Sequence, residues 1–108
     1  MQYIVFKPST PPTVAASTCL SGLPTTCLIC VPIDKYVNYI QGTYYPSSSS
    51  YTYIGWADGT YYASGATLPT SYTGWTGTLT WYNSIDDLKA SRNAITTSTG
   101  KMMYCKNY

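Results

Sequence analysis

The residues able to do chemistry are few and of restricted type. The chain has no His and no Glu, and its carboxylates are Asp34, Asp58, Asp86 and Asp87. His is the usual general base near neutral pH and the commonest metal ligand, so Ser-His and Cys-His nucleophile pairs and histidine metal sites are excluded. A carboxylate pair for glycoside hydrolysis would have to come from those four aspartates. Asp86 and Asp87 are neighbours at the start of an expected helix, where carboxylates favour the N-terminus. These residues point away from an enzyme, and no pattern among them calls for a cofactor or a metal.

Cys19, Cys27, Cys30 and Cys105 permit three disulfide connectivities in an oxidising setting, and the "CLIC" spacing of Cys27 and Cys30 permits a zinc pair. The run "TTCLICVPI" is β-branched and apolar, however, and residues three apart on a strand face opposite sides. A zinc knuckle needs a turn between its cysteines, and Leu28-Ile29 is not turn chemistry. Buried free thiols acting as small hydrophobes fit the run best, disulfides next and zinc least.

Uncharged polar groups dominate the rest. Charged residues make up 9% of the chain, where about 25% is usual, while Thr, Ser and Tyr together supply 42 of its 108 residues. Low charge with many aromatics argues for a folded chain, and the length suits one domain. Residues 1–83 are formally neutral and residues 84–108 carry the whole net charge of +2, too little for strong phosphate-backbone binding. Nucleic acid is therefore not an expected partner. No run approaches the roughly 20 apolar residues of a membrane span. The opening "MQYIVFK" lacks the apolar core of an export signal, so if Met1 is the natural start, synthesis without one is expected.

The elements that must position these groups read mostly as strands. Residues 2–7 are strand-like, and the stretch to residue 25 holds Pro8, Pro11, Pro12 and Pro24 among small polar residues, an extended arm. Residues 26–108 form the expected β domain. Its strand signals are "CLICVPI", "YVNYIQGTYY", "YTYIGW", "TYYA" after a hairpin turn at Ala57-Asp58-Gly59, "TLTWY" and "KMMYCKNY". One helix is expected near 85–97: Ser84 is the N-cap with Asp87 three residues on, Ile85, Leu88, Arg92 and Ile95 recur at helical spacing, and Gly100 ends the run. Short strands with Gly, Pro and Ser separators predict an all-β domain with one short helix, a small antiparallel β-sandwich or barrel-like fold.

"GTYY" occurs at Gly42–Tyr45 and Gly59–Tyr62, and Gly77-Thr78 precedes "LTWY". If each Gly-Thr opens a strand and Leu79 and Trp81 face the core, alternation turns Tyr44 and Tyr61 inward. The same register turns Thr43, Tyr45, Thr60, Tyr62, Thr78, Thr80 and Tyr82 outward. A face with three exposed tyrosines calls for a partner. The first expectation is a non-enzymatic subunit of a symmetric assembly, such as a virion decoration, tail or fibre protein or an extracellular filament. It would meet copies of itself and other subunits through Tyr45, Tyr62 and Tyr82 and through Tyr3, Ile4, Val5 and Phe6 of the N-terminal strand. The alternative is a carbohydrate-binding module in which Trp56, Tyr72 and Trp75 stack on sugar rings of a glycan, with Asp58 and Asn83 as polar contacts. The Ser and Thr density would also allow O-linked sugars.

Overall fold

The computed structural model describes residues 3–8, 24, 26–42, 45 and 47–107. Strands β1 (Tyr3–Val5), β2 (Leu28–Pro32), β3 (Thr52–Ala57), β4 (Thr80–Tyr82) and β5 (Met103–Lys106) form one sheet in the order β1-β2-β3-β5-β4. Neighbours β1 and β2, and β2 and β3, run parallel, whereas β5 is antiparallel to both β3 and β4. Two short helices accompany the sheet, α1 (Tyr36–Ile40) between β2 and β3 and α2 (Ile85–Ala90) between β4 and β5. The expected antiparallel sandwich or barrel with one helix is thus replaced by an open mixed sheet with two. The Pro-rich arm from residue 9 to 23, Cys19, Thr43 and Tyr44 lie outside the described residues.

The physical reason lies in β2 and β3. All of β2 and all of β3 after Thr52 are buried, the pattern of parallel strands covered on both faces. Parallel neighbours cannot be joined by a tight hairpin and require a crossover. Residues 33–51 make that crossover, so "YVNYI" is helical where a strand was expected. Its spacing agrees: Tyr39 is buried and Tyr36 and Ile40 half-buried, an i, i+3, i+4 set, while Val37 and Asn38 face solvent.

Alternation along the strands sorts two cores. On one face Ile29, Val31, Tyr53, Ala57, Trp81, Met103 and Cys105 pack with Tyr39 of α1 and with Leu68, Trp75 and Leu79. On the other, Leu28, Cys30, Ile54, Trp56 and Tyr82 pack with Ile85 and Leu88 of α2. Cys27 and Cys30 therefore sit on opposite faces. Cys27, Cys30 and Cys105 are buried free thiols, and no group of three or more metal-ligating side chains occurs among the described residues. Burial pushes the Cys30 and Cys105 thiols well above their ordinary range, which makes them poor nucleophiles.

Ser84 caps α2 as its sequence predicts, accepting the Asp87 backbone N–H at 3.1 Å. The helix ends at Ala90, short of residue 97, because Ser91 and Asn93 take left-handed φ values of 53° and 56°. Ile95 is turned back to the sheet edge, where its N–H meets the Trp81 carbonyl at 2.8 Å. Lys106 closes the helix end from β5. Its ammonium, on a side chain only 5% exposed, donates to the Leu88 carbonyl at 2.8 Å and to Ser91 Oγ, placing positive charge at the negative end of the helix dipole. The exposed Arg92–Asp87 pair, at 3.0 Å, contributes about 1 kcal/mol at most.

At the sheet centre, a Cβ on Gly55 would lie 2.9 Å from Cys105 Sγ, 3.1 Å from Trp75 Cζ2 and 3.2 Å from Ile33 Cδ1. Three neighbours on three elements would have to move together. Gly55→Ala is expected to lower unfolding free energy by about 1–3 kcal/mol through overpacking, measured by urea denaturation. Wild-type stability in that variant would show that Trp75 does not press on the sheet.

Candidate functional site

Trp75 is the pivot of an aromatic cleft. Its indole N–H donates to the Ile33 carbonyl at 2.8 Å, which fixes the ring against Gly55. Tyr36, at the start of α1, stacks on it with centroids 4.3 Å apart and planes 23° apart, and meets Tyr53 of β3 edge-on at 5.4 Å. Tyr51 completes an aromatic wall around a cleft of about 310 Å3, and Ser48, Thr52, Thr76 and Asn107 supply its polar groups. Asn107 is held by donating Nδ2–H to the Thr76 carbonyl at 2.8 Å. Among the described residues, no lining side chain carries a formal charge.

A second, wider groove of about 780 Å3 lies beyond the C-terminal end of β2, lined by Asp34, Val37, Ser71, Tyr72 and Thr73. The Asp34 carboxylate faces the Tyr61 hydroxyl closely enough to help push its pKa up, after burial. Nearby, at the end of β3, Asp58 Oδ1 accepts the Thr60 hydroxyl at 2.5 Å and the Thr60 backbone N–H at 2.9 Å. These bonds, the hydroxyl first, hold the Asp58 carboxyl below its ordinary range. Asp58 is thereby committed to the turn that ends β3. This turn stands where a hairpin was expected: the backbone N–H groups of Tyr61 and Tyr62 both donate to the Asp58 carbonyl, and no "TYYA" strand follows.

The outward tyrosine face is not formed. Tyr82 is 3% exposed and belongs to the α2 side of the sheet, whereas Tyr45 and Tyr62 pack against the opposite core. Tyr45 closes edge-on against Phe6 and Tyr39, at 5.6 and 5.5 Å, and Tyr62 against Trp81 at 5.8 Å. Alternation could sort these faces only across three strands in one register, and among the described residues Gly77-Thr78 leads into a strand whereas Gly59-Thr60 does not. Of the N-terminal candidates, Ile4, Val5 and Phe6 are half-buried by pairing with β2, and Tyr3, 49% exposed, lies beneath the Lys89 ammonium at 5.2 Å.

The three sugar-stacking candidates separate. Trp56 is buried on the α2 side, with its N–H donated to the Phe6 carbonyl at 2.9 Å, and it lines neither the cleft nor the groove. Tyr72 lines the Asp34 groove and Trp75 the neutral cleft. Asn83 lies elsewhere, lining two depressions of about 220 and 350 Å3 near the start of α2 and before β5. Tyr36, Tyr51, Asn107 and Asp34 are absent from the sequence-derived set. The helical spacing of Tyr36, Tyr39 and Ile40 is the signal that could have placed the first of them.

No family model, curated protein or solved structure matches the chain. No helix among the described residues is long and apolar enough to cross a membrane.

Burial pushes Tyr39, Tyr61 and Tyr62 up to about 12, with smaller contributions from Tyr45, Asp34 and Tyr72 respectively. In the unfolded chain a tyrosine titrates near pH 10. Between about pH 10 and pH 12 the folded state therefore holds protons that the unfolded state has lost, and stability falls as pH rises through that window. Circular dichroism should show base-induced unfolding there, with tyrosinate absorbance rising in step. Titration of all tyrosines near pH 10 without unfolding would contradict the packing described.

Proposed function

We propose that this chain is a non-enzymatic carbohydrate-binding module, and that the cleft between α1, the 75–76 segment and the start of β3 holds a neutral glycan. One observation carries the reading: the cleft is lined by four aromatic rings, Tyr36 and Tyr51 half-buried and Tyr53 and Trp75 buried, with hydroxyl and amide groups and no formal charge among the described lining side chains. A sugar ring has apolar C–H faces and a rim of hydroxyls, so it asks for ring surface below and neutral hydrogen-bonding groups around. The volume falls within the range of small-ligand sites, about 300–1,000 Å3. Trp75 is buried, with Tyr36 stacked on it and its N–H anchored to backbone, so the rings left to meet a ligand are the half-buried Tyr36 and Tyr51, and Tyr36 is already held in place before a ligand arrives.

A subunit of a symmetric assembly in a virion or filament is the second reading. The exposure of Tyr3 on the edge strand β1 favours it, since an edge strand can accept a further strand.

The test is retardation of the full chain in native gels containing soluble β-glucan, xylan or mannan, with affinities from calorimetry. At least one polysaccharide should slow the wild type and change its tryptophan fluorescence. Removing one ring contact worth about 1 kcal/mol in Tyr36→Ala should weaken binding about fivefold, and Tyr36→Phe should retain most of it. Equal mobility with and without all three polysaccharides would contradict the reading.

A further inference from the structure

The neutral cleft and the Asp34 groove share a wall. On α1, consecutive residues divide between them, Tyr36 lining the cleft and Val37 the groove. The segment packed against α1 divides in the same way, with Ser71, Tyr72 and Thr73 on the groove and Trp75 and Thr76 on the cleft. The divider is Gly74, exposed and at φ +93°, where a Cβ would lie 2.7 Å from Val37 Cγ2. The place where a Gly74 side chain would stand is taken by the Val37 side chain, so the partition between the two depressions is Val37 packed on the Gly74 backbone. Two residues of chain span at most about 7 Å, so the two linings approach within the length of a small sugar chain.

From this we infer that the cleft and the groove are one continuous track, and that the ligand is an oligosaccharide long enough to occupy both. The inference rests on the carbohydrate reading of the cleft. In the groove, Tyr72 and the exposed Val37 supply apolar surface for a second sugar unit, and the Asp34 carboxylate accepts its hydroxyls. Asp34 is the groove's one formal charge among the lining residues described, so the track favours neutral chains and repels those carrying uronic acids. At the Gly74 crossing the chain would pass over the Val37 methyl groups, with no side chain from Gly74 itself to add to them.

The experiment is calorimetry on the full chain with fragments of one to six units prepared from β-glucan, xylan and mannan. Affinity is expected to rise by about tenfold or more between two and five units and then level off, an additional subsite being equivalent to at least one decade in Kd. Asp34→Asn and Tyr72→Ala should each weaken the longest fragments about fivefold or more, with less than about twofold effect on the shortest. Tyr36→Ala should weaken both classes. Equal affinity for short and long fragments, or wild-type binding of long fragments by Asp34→Asn, would overturn the continuous track and leave the cleft standing. Failure of every fragment to bind would overturn the track together with the reading beneath it.

Discussion

The contact on which most of this molecule depends is the Trp75 indole lying over Gly55. Gly55 sits in the central strand with β2 on one side and β5 on the other, and its lack of a side chain allows Trp75, Ile33 and Cys105 to approach together. The indole N–H is satisfied by the Ile33 carbonyl, so a large ring is buried without an unpaired donor. The irregular 61–79 segment is thereby fastened over a sheet face that no long helix covers. Backbone bonds from Leu68 to Thr96 and from Leu79 to Thr70 keep it ordered on either side. Tyr36 then stacks on the outer part of the same indole, so the anchor of the core is also the floor of the cleft.

Such a construction suits a chain with few charges. A small domain needs apolar area, and aromatic rings supply it in large pieces, each with a polar end that must find a partner. The three tryptophans and Tyr39 do so through backbone carbonyls: Tyr39 to Pro8, Trp56 to Phe6, Trp75 to Ile33 and Trp81 to Pro69. These bonds join segments far apart in sequence and compensate for the brevity of the strands. They also explain why paired tyrosines need not mark a surface. In this chain most of them are mortar between the sheet and the segments that cover it.

How much of this was legible in the sequence depended on whether the signal was local. The strands around Ile4, Ile29, Ile54, Trp81 and Cys105 lie where short β-branched or aromatic runs place them, and the Ser84 cap was readable from Ser-x-x-Asp. Strand direction was not, because β1, β2 and β3 run parallel through crossovers that leave no short turn to read. The helix at 36–40 was hidden by its brevity and by "YVNYIQGTYY", whose β-rich composition outweighed the three-four spacing of Tyr36, Tyr39 and Ile40. The site was half legible. Tyr72 and Trp75 could be singled out as rings beside a Gly-rich turn, but Tyr36, Tyr51 and Asn107 join them only through tertiary contacts spanning most of the chain.

The central claim is that function lies at the face built on Trp75 and not at the β1 edge or the α2 side. Amide chemical-shift mapping of the full chain titrated with soluble neutral polysaccharide fragments tests it most directly. The account predicts saturable shifts at Tyr36, Tyr51, Thr52, Trp75, Thr76 and Asn107, extending with longer fragments to Asp34 and Tyr72. Shifts gathered around Tyr3, Asn83 and Asp86, or a spectrum unchanged at the highest fragment concentrations, would contradict it.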